Sequence, residues 1–280
     1  MQNVSKKERT LLAGPWIGEF GWELFAWHGY VRALSKKFDK TIVISRSNSK
    51  ALYVDFANDF YDYTPPDELA DSFFMYNIDL KSCLKEAVQL HNIDINKDMT
   101  LLLPRRIGMP PHTHHAEAMS FGEYVITPEY IRFGAKKEQE YDYIFHIRSR
   151  ELRKEDNWSI ENWEKLKALL GDKRIACVGT KEEAGWIEGT DDLRSIDLQS
   201  LLTLMTNATC TFGSSSGPMH LSSLCSSPHV VWSIPQNRIR YENNWNPLNA
   251  PILFLDKYSW HPSAEYVYNK YVNWSIHKNE

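Results

Sequence analysis

The chain is poor in cysteine, with four in 280 residues, at Cys83, Cys177, Cys210 and Cys225. They lie far apart and form no C-x-x-C pair, which excludes the spacing of a structural zinc site or a disulfide framework. Reduced, mostly buried thiols are the expectation. No apolar run reaches ~18 residues, so no membrane-spanning helix is expected. The first ten residues are polar and basic, and the apolar stretch Leu11–Ile17 is too short for the hydrophobic region of a secretory signal. A cytoplasmic location follows as an expectation. Neither sign of charge dominates, with 32 Lys and Arg against 36 Asp and Glu, for a net charge of −4. A strongly electropositive nucleic-acid binder is therefore not indicated, although a local basic face stays open. Two phosphate-binding signatures, GxxxxGK[ST] and GxGxxG, are absent. With 42% hydrophobic and 24% charged residues, disorder, collagen and coiled coil are excluded as well.

What the chain has in quantity is aromatic rings: ten Trp, fourteen Tyr and twelve Phe. Rings of this kind fill cores, and they also form stacking walls for sugars and bases. The length suggests one large domain or two compact ones.

Along the chain, Thr10–Trp16 reads as a strand and Trp22–Lys36 as a helix with one apolar stripe. Lys40–Ser45 (KTIVIS) reads as a second strand, which completes a βαβ unit and implies a parallel sheet. Asn48–Phe60 is expected to be helical, as is Lys81–Leu90, with Met99–Leu103 a strand and Pro104–His115 a loop. The second half alternates more plainly. Strands are expected at Tyr141–Ile147, Arg174–Gly179, Ala208–Phe212 and His229–Ser233. Helices are expected at Ser159–Leu170, with Ser159 as N-cap, and at Glu182–Ile187, Leu198–Thr206, Pro218–Cys225 and Pro262–Ile276. Two such runs argue for an α/β protein of two Rossmann-like domains with a cleft between them. The expected division is 1–138, 139–261 and a terminal helical segment, 262–280, that packs back on the first domain.

Four segments carry residues suited to chemistry. In Thr209–Leu224 (TCTFGSSSGPMHLSSL) a strand runs into Ser214, Ser215, Ser216 and Gly217, and Pro218 opens a helix. Small residues let backbone N–H groups approach a ligand, and the helix start offers free donors to an anion. Hydroxyls add hydrogen bonds, and Met219 and His220 follow in the first turn. The segment reads either as a phosphate or diphosphate cradle or as a plain N-cap turn. In Gly14–Glu23 (GPWIGEFGWE), Gly18, Glu19, Trp22 and Glu23 occupy a strand-to-helix loop at the carboxyl end of the sheet, where open α/β folds bind ligands. A carboxylate there suits a general base, and also suits a helix start electrostatically. In the third segment, Arg148 follows the strand that opens the second half and is suited to bridging a diphosphate. In the fourth, Arg238 and Arg240 lie in the polar, aromatic loop Pro235–Pro247. His112, His114 and His115 cluster in a proline-rich loop without a partner carboxylate at ligand spacing, so no metal is expected there.

At these residues the chain resembles a glycosyltransferase of the GT-B fold. The region Asp197–Ser233 is similar to the bacterial heptosyltransferase family, whose members carry an aspartate, a Leu-rich helix, a strand, Asp-Ser-Gly-Pro-Met-His opening a helix, then Pro and a strand. The matching residues are Asp197, Leu201 and Leu202, then Ser215-Ser216-Gly217-Pro218-Met219-His220-Leu221, then Pro228. Ser215 stands where the family has aspartate, so that aspartate's role does not carry over. The loop from Arg238 to Pro247 is similar to the family's Arg-and-Pro segment. His146-Ile-Arg148 is similar to the His-x-Arg pattern of GDP-fucose-dependent fucosyltransferases, where the Arg contacts the donor diphosphate. The opening GPWIGEFGWEL resembles small phage-encoded glycosyltransferases.

The resemblance implies a nucleoside-diphosphate sugar held by the second domain, an acceptor held by the first near Gly18, Trp22 and Glu23, and inverting transfer with Glu19 as general base. It implies neither metal nor other cofactor. The acceptor is left open between a glycan or lipid-linked sugar and a hydroxymethylated base in phage DNA. For DNA, Arg105, Arg106, Arg132, Lys136 and Lys137 would track phosphates, and Trp16, Trp22 or Trp27 would serve a flipped base. A sugar-nucleotide epimerase or hydrolase, and a non-catalytic sugar-nucleotide binding protein, are the remaining alternatives.

Overall fold

The computed structural model describes residues 8–64, 79–96, 99–104 and 127–276. The chain divides into two compact units, Met1–Tyr130 and Ile131–Glu280. Each is built on a wholly parallel sheet, so the two-domain α/β expectation holds. The division falls earlier than 138/139 because the following segment is bonded into the second unit. The Phe133 N–H donates to the Leu224 carbonyl at 2.9 Å, Arg132 Nε to the Cys225 carbonyl at 3.2 Å, and the Lys137 N–H to Asn207 Oδ1 at 2.9 Å. The charged run 136–140 marks an exposed stretch rather than a boundary.

In the first unit the strands are β1 (Thr10–Ala13), β2 (Lys40–Ser45), β3 (Asp59–Asp62) and β4 (Met99–Leu102), in the order β3-β2-β1-β4. All pairs are parallel. Residues 41–45 of β2 are all buried, as a strand covered on both faces requires. The expected single helix after β1 is two, α1 (Phe20–Ala26) and α2 (His28–Ser35). They break at Trp27, whose backbone (φ −136, ψ −69) leaves the helical region. The expected helix at 48–60 is instead a 3-10 turn, Ser47–Leu52, followed by β3. Ser and Asn favour local turns, and Phe60 and Tyr61 suit a pleated sheet. Helix α3 (Leu80–Leu90) forms as expected, with Asp79 accepting the N–H groups of Lys81 and Ser82. Leu12, Ile42, Ile44, Leu84 and Ala87 share the core beneath the sheet.

In the second unit the strands are β5 (Tyr143–His146), β6 (Ile175–Cys177), β7 (Asp191–Asp192), β8 (Cys210–Ser214), β9 (His229–Trp232) and β10 (Ile252–Leu255). Their order is β10-β9-β8-β5-β6-β7, all parallel. Counted from β5, this is the doubly wound order 3-2-1-4-5-6, whose switch point lies between β5 and β8. The helices are α4 (Ile160–Leu170), α5 (Leu198–Asn207), α6 (Gly217–Leu224) and α7 (Ala264–Ile276). Ser159 caps α4 and Asp197 caps α5 through their side chains. The expected helix at 182–187 is a turn segment tied to the residue after β5 by the Gly185 N–H on the Ile147 carbonyl, at 2.7 Å.

Helix α7 packs within the second unit. Its buried face, Ala264, Val267 and Tyr271, shares one core with Phe145, Trp163 and Leu166 of the second unit, and Glu265 pairs with Lys165 on α4. Part of the aromatic abundance goes into this core, where Trp158, Trp163 and Trp232 meet with ring centroids 4.6–5.3 Å apart. No helix among the described residues is long and apolar enough to cross a membrane.

Candidate functional site

The second unit gathers the predicted cradle at its switch point. β5 and β8 pair side by side, with His146 opposite Gly213, so both strands deliver their carboxyl ends to one place. Open α/β sheets bind ligands outside that edge. β5 ends in His146. β8 ends in Ser214, and Ser215 and Ser216 lead into α6. His146 Nδ1 and Ser216 Oγ are 2.9 Å apart, closing a hydrogen bond across the switch point. Burial and the charges of Arg148 and Arg150 lower the His146 pKa to about 4, so the ring is neutral at physiological pH. Gly179, after β6, has φ +123, and a Cβ there would lie 2.5 Å from Ala184 Cβ and 3.1 Å from His146 Cδ2. Only glycine lets the chain pass the ring in this conformation.

An α-helix leaves its first N–H groups without partners inside the helix. At α6 that set is reduced to a few. The Ser216 N–H donates to Tyr241 Oη at 3.1 Å, and Pro218 has no N–H. The N–H groups of Gly217 and Met219 are the remaining donors of the first turn. Ser215 and Ser216 carry hydroxyls on the same turn, and Ser214 ends β8 beside Trp232. Ser214 is 1% exposed and its Oγ has no hydrogen-bond partner in the protein. Thr211, Ser223 and Ser227 of the same unit have hydroxyls in the same state. Neutral donors at a helix start, with no carboxylate in their own segment, have the chemistry to hold an anion.

Several predicted donor residues are occupied otherwise. Arg148 is buried, and its guanidinium donates to the carbonyls of Arg153 and Leu152 (both 3.0 Å) and to Asn157 Oδ1. It clamps the loop 149–157 rather than facing a ligand. Arg238 is shared between Glu242 at 2.6 Å and Asp256 at 2.8 Å. Arg240 lies over the Trp245 ring, 5.3 Å from its centroid. His220 is buried and stacked on Tyr241 (centroids 4.2 Å apart, 15° between planes), so its ring packs the interior behind the cradle. Burial and Arg240 hold its pKa well below the usual histidine value. The Met219 side chain is core, packed with Val231, Tyr241 and Phe254, and only its backbone bears on the cradle. These five side chains are engaged within the protein, Arg238 and Arg240 half-buried and the other three buried.

In the first unit the loop after β1 also stands at a switch point, between β1 and β4. The Gly14 N–H bonds to the Leu102 carbonyl at 2.9 Å, and a Cβ on Gly14 would collide with the Ile44 carbonyl oxygen. Glu19 is the half-buried N-cap of α1, and its carboxylate makes no capping hydrogen bond to the helix. Trp22 is half-buried and Gly18 buried. Glu23 is the correction here. It is fully buried, and its carboxylate accepts the hydroxyls of Ser45, Ser49 (2.6 Å) and Tyr53 (2.7 Å). Burial raises its pKa against the lowering effect of these bonds and of Arg46. It organises the interior of the unit and is not placed to hold an acceptor.

Trp16 and Trp27 are buried and stacked on each other, which removes them as platforms for a flipped base. Arg105, Arg106, His112, His114 and His115 lie outside the described residues. Among the described residues no group of three His, Cys, Asp or Glu could hold a metal ion. The four cysteines are free and buried. Sequence reading missed Tyr241 as a member of the site. It sat inside the singled-out 235–247 loop, with nothing local to distinguish it from the neighbouring Trp245.

Comparison with solved structures gives the fold its class. A glycosyl transferase family 9 protein from Veillonella parvula matches with a TM-score of 0.62 at 12% identity, over 96% of this chain and 98% of that one. The ADP-heptose LPS heptosyltransferase II of E. coli matches at 0.60 and 12%, over 97% and 100%. The E. coli heptosyltransferase WaaC with ADP matches at 0.59 and 11%, over 97% and 100%. The chain thus has a GT-B fold resembling that of bacterial heptosyltransferases. No family model matches the sequence, and no curated relative matches it.

Proposed function

We propose that the chain is a glycosyltransferase that moves a sugar from a nucleoside-diphosphate sugar to an acceptor hydroxyl. The observation that carries this reading is the start of α6 at the β5/β8 switch point, where the Gly217 and Met219 N–H groups and the Ser215 and Ser216 hydroxyls lie on one turn of chain. The GT-B fold adds weight by analogy, because heptosyltransferases of this fold use such donors. WaaC, one of the similar structures, was determined with ADP.

In this reading the diphosphate lies on the cradle. Glu19 takes the proton of the acceptor hydroxyl, the oxygen attacks the anomeric carbon, and the bond from that carbon to the diphosphate breaks. The configuration inverts and the nucleoside diphosphate leaves with both bonding electrons. Fixed N–H dipoles and hydroxyls stabilise the charge that develops on it, with no metal required. Removing one such donor typically costs ~10²–10³ in rate. The acceptor is a hydroxyl of a glycan or a lipid-linked sugar. A modified DNA base loses support from the burial of Trp16 and Trp27.

The test is a thermal-shift panel of UDP, GDP, ADP, CMP and dTDP with their matched sugars, first without metal and then with magnesium. A ligand at ~100 times its Kd stabilises the folded chain by about 2.7 kcal/mol. One nucleoside diphosphate is expected to raise the melting temperature without metal. A Glu19→Gln variant is expected to keep that shift and to lose transfer. Absence of any shift from a well-folded chain overturns the cradle. Turnover of the donor by Glu19→Gln at the wild-type rate overturns the base.

A further inference from the structure

Resting on that reading of the cradle, we propose that Tyr241 is a positioning residue of the donor site, whose hydroxyl turns the Ser215 proton toward the diphosphate. Tyr241 lies in the segment after β9 and reaches back to the start of α6. Its ring is buried and locked, stacked on His220 at 4.2 Å and packed on Phe254 at 5.5 Å. A phenol held this way keeps its oxygen at one place. That oxygen is 3.1 Å from Ser215 Oγ, its nearer acceptor, and 3.5 Å from the Ser216 carbonyl. It also accepts the Ser216 N–H at 3.1 Å.

A serine hydroxyl has one proton and two acceptor positions. Tyr241 donates into one of the acceptor positions of Ser215, and the Ser215 N–H is bound to the Trp232 carbonyl at 3.1 Å. The Ser215 proton then has to find its own acceptor away from Tyr241. Ser215, Ser216 and Gly217 are half-buried, so the open side of this turn is the one the cradle presents. Burial pushes the Tyr241 phenol well above its ordinary pKa, so it remains a donor at any physiological pH. The chain Tyr241 to Ser215 to phosphate oxygen is a row of three groups in which each proton points toward the anion. Such rows polarise one another. By taking the Ser216 N–H, the same phenol also holds the Ser215–Gly217 backbone in the shape that presents the Gly217 N–H.

Tyr241→Phe keeps the ring and its stack and removes only the hydroxyl. The full chain is titrated with UDP, GDP and ADP, and in parallel with uridine, guanosine and adenosine, which share the base and sugar but lack phosphate. The wild-type chain and the Tyr241→Phe, Ser215→Ala and double variants are compared. Tyr241→Phe is expected to weaken the preferred diphosphate ~10-fold, in line with loss of one hydrogen bond to a charged group. The matching nucleoside is expected to stay within ~2-fold. Ser215→Ala is expected to lose as much, and the double variant no more than either single change, because both act on one bond to phosphate. Unchanged diphosphate affinity in Tyr241→Phe overturns the proposal. So does an equal loss for nucleoside and diphosphate, or additive losses in the double variant. Should Tyr241→Phe fail to fold, Ser215→Ala decides alone, and wild-type affinity there overturns the proposal. A wild-type chain that binds none of the diphosphates instead overturns the cradle itself, an outcome separate from all of these.

Discussion

Replacing Glu23 with alanine should destabilise the first unit severely. The carboxylate sits among three hydroxyls that are themselves buried, those of Ser45, Ser49 and Tyr53. Truncation leaves all three without their acceptor, and each buried polar group left unsatisfied costs about 1–3 kcal/mol. Water entering the vacated space recovers part of this, so roughly 3–6 kcal/mol is expected for the set. In a unit of this size that lowers the melting temperature by roughly 10–20 °C. Calorimetry on the full chain reads it as a shift of the first unit's transition with the second unit's unchanged. The pH dependence gives a second check. Burial raises the Glu23 pKa above its ordinary 4.5, so the folded state retains a proton that the unfolded state releases. Its contribution is full below pH 4.5 and declines as pH rises through the raised value. Glu23→Gln mimics the protonated form, so its penalty against wild type should shrink from pH 4 to pH 8. A Glu23→Ala transition within ~2 °C of wild type, or a Glu23→Gln penalty that grows with pH, refutes this account of the network.

The contribution of His146 to the second unit should vary with pH in the opposite sense to that of Glu23. The His146 pKa is lowered to about 4, so stability is full above the ordinary 6.5 and declines as pH falls from there toward 4. His146→Asn should flatten that part of a stability–pH curve measured by urea unfolding. Arg148→Lys should loosen the loop 149–157, because one ammonium cannot reach the two carbonyls and the Asn157 oxygen that the guanidinium spans. Hydrogen exchange should speed up in that loop and stay unchanged in β8. Trp163→Ala should cost about 3–5 kcal/mol, the usual loss for a large buried aromatic. Its ring meets Phe145, Trp158 and Trp232 at 4.9–5.3 Å, and urea unfolding that gives less than ~1 kcal/mol would contradict the packing.

The features read correctly in the sequence are local ones. Ser159 caps α4 because its hydroxyl needs only the N–H three residues on, and Asp197 caps α5 for the same reason. The Gly213–Pro218 run announces a strand-to-helix turn because small residues and a proline act on their own backbone. The features misread depend on distant partners. Glu19 and Glu23 are alike in sequence, and only the approach of Ser45, Ser49 and Tyr53, 22, 26 and 30 residues away, makes Glu23 the interior one. Tyr241 reaches Ser215 across 26 positions, and nothing near it in sequence foretells that contact. Arg148 has the composition of a phosphate ligand, yet a loop folds back upon it and takes its donors. The break at Trp27 is similar, because apolar spacing continues through it while the backbone does not.

The sequence by itself determined the alternation of strand and helix, the parallel sheets that alternation requires, the loops that end at the ligand edge and the small residues at the start of α6. Each follows from periodicity or from the conformational limits of single residues, which act within a turn or two of chain. The tertiary structure alone decided the strand order that makes β5 and β8 neighbours, the attachment of α7 to the second unit, the burial of Glu23 and the contact of Tyr241 with Ser215. These depend on which distant surfaces fill each other's volume once water is excluded, and a close-packed interior resolves that choice for all of them together.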